Sequence, residues 1–277
     1  MSKLIQYSTI ASKYDGPFGG DHPWISSGMG YIITTDSGET IAIDGGHPDD
    51  AEGFLNLIKE HSPTSIVDLW IITHPHIDHY SAFHEIATKY YEAVNIKKVC
   101  YLFPPEFVDG AGSGITDVIE KMDEAISVSG ITYVEPREDE ILNVGSAEIK
   151  FYFTPADFSF VYGKNPLSLI FSVTVGKTKT IFTGDTGTDI MDRVLEKYAD
   201  ELKCDVLQLP HHGLCDTGHS VFYKIAAPET VLIPTSKAGY FAMDREEYAS
   251  AAAKTRNVEK AARRVYRSFE GTATIEC

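Results

Sequence analysis

Apolar side chains along the 277-residue chain switch between two spacings. Runs at 31–35 and 40–43 are rich in β-branched and aromatic residues, and Asp36-Ser37-Gly38 between them tolerates tight-turn geometry, so they predict a hairpin. Asp49 or Asp50 then offers a cap to a helix in which Phe54, Leu55 and Ile58 recur at helical spacing. A buried strand at 66–73 runs directly into a polar hexapeptide at 74–79. Phe83, Ile86, Ala87 and Tyr90 predict one face of a second helix, followed by a strand at 99–103. The pattern continues with a loop at 110–114, a helix at 115–126 and strands at 131–134, 141–144 and 148–153. Strands at 169–175 and 180–183 are joined through Gly176, ahead of a helix at 190–198 and strands at 205–209 and 231–233. Arg264-Val265-Tyr266 before Glu270-Gly271 predicts a closing hairpin.

Each cluster of histidine or aspartate falls just past a predicted strand, so the clusters are expected to converge on one edge of the sheets. No repeat, low-complexity run or linker divides the chain, and the alternation of strands and helices predicts a mixed α/β class. Length alone allows one or two domains.

Composition is that of an ordinary globular protein, with 43% hydrophobic and 23% charged residues. Lysine and arginine total 24 against 40 acidic residues, a formal charge of −16. An exterior this acidic repels polyanions, so long nucleic acids and anionic membranes are not expected partners. The first residues lack a basic stretch followed by an apolar run, and no segment reaches about 18 apolar residues, so a soluble cytoplasmic protein is expected. Cys100, Cys204, Cys215 and Cys277 form no CxxC pair, which argues against a zinc ribbon or a disulfide framework.

The densest chemistry is His74-Pro75-His76-Ile77-Asp78-His79. Three imidazoles and a carboxylate this close can wrap an ion from a loop, and such donors suit zinc and related divalent metals. One or two further ligands must come from elsewhere, and Asp185 and the His211-His212 pair, each after an apolar run, are the available donors.

These residues resemble the metallo-β-lactamase superfamily. THPHIDH is similar to its HxHxDH signature, and the resemblance continues in order through IDGG at Asp44, FTGD at Asp185 and LPHHG at His211-His212. It implies a four-layer αββα sandwich formed by one domain over 1–277. It also implies that His74 and His76 hold a first metal, that Asp78 and His79 hold a second, and that Asp185 bridges them. Asp44 and Gly184 support the site. The last ligand is His211 or His212; the family places it before a small residue, which favours His212 and leaves His211 to orient substrate or donate a proton. With Asp78, His211 is the catalytic candidate.

Many members add a third histidine to the first metal, but none occurs here between His84 and His211. That region instead carries KNPLSL, which resembles the N-x-x-S-L stretch of competence-protein hydrolase domains and phosphorylcholine esterases, as does the closing VYRSFEGTATI. This resemblance places Asn165 and Ser168 near the substrate.

The resemblance implies two divalent ions, with zinc expected and manganese or iron compatible. A pair of ions about 3.5–4 Å apart lowers the pKa of a bridging water and holds both oxygens of an in-line displacement. The expectation is a dinuclear hydrolase that uses a bridging hydroxide on a small or short anionic phosphoester. The competing expectation, motivated by the missing histidine, is a non-catalytic metal-binding or partner-binding module that retains the fold. His47 and Tyr240 are further candidates to line the pocket, and His22 with Trp24 to form a gate. His84 reads as a surface residue or one that backs the ligands, His219 as a helix cap or a residue facing the pocket, and Cys215 as a buried inert thiol.

Overall fold

The first half of the chain supplies β1 (Lys3–Gln6), β2 (Gly30–Thr34), β3 (Thr40–Asp44), α1 (Ala51–His61), β4 (Ile66–Val67) and β5 (Leu69–Ile71). It continues with α2 (Ile77–Lys89), β6 (Asn95–Ile96), β7 (Lys98–Cys100), α3 (Thr116–Ser129) and β8 (Thr132–Val134). The second half supplies β9 (Ile141–Val144), β10 (Ala147–Phe153), β11 (Ile170–Val175), β12 (Thr178–Phe182), α4 (Thr188–Tyr198) and β13 (Val206–Gln208). After these come α5 (Ser220–Ala226), β14 (Thr230–Ile233), α6 (Lys237–Ala242), α7 (Ala249–Ala261), β15 (Arg264–Arg267) and β16 (Ala273–Glu276). The structure is a computed structural model that describes residues 1–13, 28–62, 64–107, 114–157, 163–213, 220–244, 246 and 249–277. His22, Trp24, Cys215 and His219 lie outside the described residues.

Two seven-stranded mixed sheets result, ordered β16-β1-β2-β3-β5-β7-β8 and β15-β14-β13-β12-β11-β10-β9. Alternation along the strands explains how they pack, because successive side chains point to opposite faces. Ile41, Ile43, Leu69 and Ile71 of the first sheet meet Phe171, Val173, Phe182 and Val206 of the second in one inner core. The intervening Ala42, Trp70, Ile181 and Leu207 belong instead to the layer that contains the helices. Helix α1 covers the first sheet with Phe54, Leu55 and Ile58, and α4 buries Ile190, Met191, Val194 and Tyr198. The central strands are therefore apolar on both faces, and the expected four-layer α/β sandwich is the observed architecture. Among the described residues, no helix is long and apolar enough to cross a membrane.

Several boundaries differ from expectation for local reasons. The single strand expected at 66–73 is broken at Asp68, whose carboxylate accepts the Thr40 N–H at 2.9 Å and Lys97 Nζ at 2.6 Å. Tyr90 is not on the buried face of α2; it is the C-cap and is largely exposed. The closing hairpin does not form. β15 runs parallel to β14 in the second sheet, whereas β16 crosses over to pair antiparallel with β1 in the first.

Candidate metal centre

Every polar cluster identified in the sequence sits past the carboxyl end of a strand. Asp44 closes β3, residues 74–79 follow β5, Asp185 follows β12, and His211-His212 follow β13. The first two come from one sheet and the last two from the other, so the site straddles the seam between the sheets.

Asp44 organises the first side. Fully buried, it accepts the Thr73 N–H and the Thr73 hydroxyl, both at 2.8 Å, and stands 2.8 Å from His79 Nδ1. An imidazole whose Nδ1 is held this way presents Nε2 as its free ligand atom. His212 is oriented alike from the other sheet, with Nδ1 donating to the Pro234 carbonyl at 2.7 Å. His76 is the N-cap of α2 in extended geometry, so the chain turns there and puts Asp78 and His79 on the first helical turn.

Nε2 of His79, Nε2 of His212 and Oδ1 of Asp185 are buried without a hydrogen-bond partner. Orphaned buried polar atoms are uncommon and call for an explanation such as an ion. The donor spacings supply it. His212 Nε2 lies 3.1 Å from Asp78 Oδ2 and 3.4 Å from Asp185 Oδ2, while His79 Nε2 lies 3.6 Å from Asp78 Oδ2 and 3.4 Å from Asp185 Oδ1. Two donors each about 2.0–2.1 Å from a tetrahedral zinc stand roughly 3.3–3.4 Å apart. Asp78, His79, Asp185 and His212 thus form one donor set, and His74, His76 and Asp185 form a second, each with its atoms within 4.8 Å of one another. Asp185 belongs to both.

The electrostatics follow from burial and mutual contact. Burial alone would depress His212, but Asp185 and Asp78 outweigh it and lift its pKa to about 10. Burial likewise opposes the charged form of His79, yet Asp185, Asp78 and Asp44 hold it well above the ordinary imidazole value. His74 lacks that excess of carboxylate, and burial together with the neighbouring His79 charge pushes it well down. Asp78 and Asp185 resist desolvation because His79 and His212 hold both below the usual carboxylate range.

Backbone strain is concentrated here. Asp44, His211 and His212 have φ of 50°, 48° and 56°, a left-handed conformation that costs a non-glycine residue about 1–2 kcal/mol. The His211 N–H is anchored to the Gly184 carbonyl at 3.1 Å and the Gly213 N–H to Pro210 at 2.9 Å, which holds the turn. Strain kept by such anchoring is a mark of functional sites.

The remaining candidates separate. Asn165 Nδ2 lies 3.2 Å from His211 Nε2. Ser168 is fully buried, and its hydroxyl accepts the Asp185 N–H at 2.9 Å. The structure places it behind the shared carboxylate. His47 opens the Pro48–Asp50 turn and gives its N–H to Asp50 at 3.0 Å, outside both donor sets. Tyr240 is committed elsewhere, with its hydroxyl 2.8 Å from Glu259 and its ring against Arg256 at 3.9 Å. His84 pairs with Glu124 at 2.9 Å. Thr73, which opens THPHIDH, Pro234 and Gln208 support the site without being ligand candidates in the sequence. Gln208 left a trace, as one polar residue in the apolar run at 206–209.

Residues 26–235 match the model of the metallo-beta-lactamase superfamily. No curated protein matches the chain. The metallo-beta-lactamase fold protein YhfI from Bacillus subtilis is similar in structure, with a TM-score of 0.59 and 13% identity over 99% of this chain and 100% of that one. Zn²⁺-bound PqqB from Methylobacterium extorquens gives 0.59 and 10% over 100% of both chains. CmlA, a diiron β-hydroxylase from Streptomyces venezuelae, gives 0.57 and 14% over 99% of this chain but 54% of its own. At such identities the likeness is one of fold.

Proposed function

The chain belongs to the metallo-β-lactamase superfamily, and on that premise we propose that it is a dinuclear metal-dependent hydrolase that cleaves a phosphoester in a small or short substrate. The observation that carries the reading is a set of donors, two imidazole Nε2 atoms and one carboxylate oxygen, buried without a hydrogen-bond partner and spaced as ligands of one ion. Asp78, His79, Asp185 and His212 would hold one metal and His74, His76 and Asp185 the other. Bound there, two divalent ions supply a lowered water pKa and electrophilic anchoring of a phosphoryl oxygen.

The protein's own groups define the rest. Asp44 and the Pro234 carbonyl fix the rings of His79 and His212, so ligand atoms are aimed before any ion arrives. Burial holds His211 below the ordinary imidazole value, so at neutral pH it is an uncharged ring beside Asn165 that orients a substrate oxygen by hydrogen bonding. The His74-His76-Asp185 set has three donors, which leaves coordination open, as catalytic sites require. Two divalent ions would offset the local negative charge of Asp44, Asp78 and Asp185, so a small anion could approach the centre even though the chain carries −16. Zinc fits the imidazole-rich sets best. Within the superfamily we place the chain beside the competence-protein hydrolases and phosphorylcholine esterases, a reading supported by Asn165 and Ser168 flanking the His211 and Asp185 turns.

The test is metal-stripped protein reloaded with Zn²⁺ or Mn²⁺ and assayed on bis(p-nitrophenyl) phosphate beside sulfate-ester, lactone and thioester substrates. Metal-dependent phosphodiester hydrolysis that is lost in Asp185→Asn is expected. Turnover of another ester class alone would replace the phosphoester reading, and bound metal without any turnover would favour a binding module.

A further inference from the structure

Gln208 is the last residue of β13, is completely buried, and spends its side-chain amide on backbone and on the Thr183 hydroxyl, which donates to Oε1 at 3.2 Å. Its Oε1 accepts the Thr183 N–H at 2.7 Å and the Gly184 N–H at 2.9 Å. Its Nε2 donates to the Gly184 carbonyl at 3.1 Å and to the Leu209 carbonyl. The chemistry fixes which end is which, since a flipped amide would set its NH₂ against two N–H groups and its oxygen against two carbonyls. The Gly184 carbonyl also receives the His211 N–H at 3.1 Å.

One amide therefore joins two turns. The turn at 183–185 carries the carboxylate shared by both donor sets, and the turn at 209–212 carries the final imidazole. Strands β12 and β13 pair through Thr180–Val206 and Ile181–Leu207; beyond that register the segments are joined by the Thr183 hydroxyl on the Gln208 carbonyl at 2.9 Å, by the His211 N–H on the Gly184 carbonyl and by the Gln208 amide. We propose that Gln208 is a positioning residue for the metal centre, holding Asp185 Oδ2 and His212 Nε2 at their 3.4 Å separation. The proposal rests on the metal reading of the site.

Two variants divide the amide. Gln208→Glu keeps an acceptor for Thr183 and Gly184 but, while ionised, loses the donor to Gly184 and Leu209. Gln208→Met keeps the approximate shape and loses both. Leu202→Ala, fully buried in the outer layer just ahead of the N-terminal end of β13 and so at the opposite end of that strand from the site, serves as a control for general loss of stability. Zn²⁺ affinity is measured by competition with a chromophoric chelator, Co²⁺-loaded protein by its visible absorption, and integrity by the melting of the metal-free form.

Both Gln208 variants are expected to bind Zn²⁺ about 10–100-fold more weakly, the range seen when groups that orient ligands are removed. Their Co²⁺ spectra should change, while Leu202→Ala loses melting temperature and keeps native affinity and spectrum. Native affinity and spectrum in Gln208→Met, or in Gln208→Glu at a pH that ionises the carboxyl, or an equal loss of affinity in Leu202→Ala, overturns the positioning role. Should Gln208→Met fail to fold, Gln208→Glu decides. Wild-type protein that takes up no divalent metal overturns the metal reading itself, a different result from any variant effect.

Discussion

Gly184→Ala gives a sharp test of how the shared carboxylate is held. Gly184 has φ of +53°, and a Cβ added there would lie 2.7 Å from Ser168 Oγ, 2.8 Å from Ser168 Cβ and 3.2 Å from Thr73 Cβ. The left-handed backbone costs alanine about 1–2 kcal/mol, and forcing a methyl into packed surroundings costs roughly 1–3 kcal/mol more. The sum is a destabilisation of roughly 2–5 kcal/mol. Ser168 cannot swing away freely, because it is fully buried and its hydroxyl accepts the Asp185 N–H. The displacement therefore reaches the carboxylate, and zinc affinity should fall about 10–100-fold. Gly130→Ala separates the two contributions: its φ is +66° and no atom lies within 4 Å of the added Cβ. It should lose only the backbone cost, about 1–2 kcal/mol, and bind zinc normally. Urea unfolding of the metal-free proteins and chelator competition measure both quantities. If the two alanine variants match in stability and in zinc affinity, the close contact behind Asp185 has no consequence and the reasoning fails.

Other expectations are independent of this one. The His212 pKa is raised to about 10 without metal, so its proton stabilises the metal-free fold fully below about 6.5 and that contribution fades as pH rises through 10. A metal competes with the same proton, so zinc affinity should climb with pH above neutrality, and calorimetry in buffers of different ionisation enthalpy should record proton release; pH-independent affinity from 7 to 9 would contradict it. Tyr240→Phe removes a hydroxyl bound to Glu259 and should cost about 1 kcal/mol of stability while KM stays unchanged, whereas a raised KM would return Tyr240 to the substrate pocket. Asp185→Asn should lower bound metal at both donor sets, read by elemental analysis, because Asp185 is the one residue common to them; a loss confined to one set would refute the sharing.

Much of the site was legible because metal ligation demands particular residue types at the ends of strands. His74, His76, Asp78, His79, Asp185 and His212 are chemically conspicuous, and each follows an apolar run. The inner strands were legible for a similar reason: 170–175 is apolar with period two and is buried almost throughout. Helices α6 and α7 carried little signal, since α7 is alanine-rich and polar and buries only Ala251, Thr255 and Val258. The route of β16 was hidden because a four-residue strand does not reveal its partner; the pairing Leu4–Ile275 spans almost the whole chain. Tyr240 and Ser168 show the limit for side chains. Composition marks a hydroxyl as available for chemistry, but only packing reveals that Glu259 or the Asp185 amide already holds it.

Because the donors come from two sheets, the layer between those sheets acts as a ruler. Tyr31, Ile43 and Leu69 on one side and Phe171 and Phe182 on the other fix how far apart the sheets stand. A volume change in that layer shifts one half of the donor set against the other without altering any ligand. Natural variation at these apolar positions can therefore retune metal choice and reactivity while the chemically conspicuous residues stay the same. Relatives with identical ligands but different inner layers are the place to look for divergent chemistry.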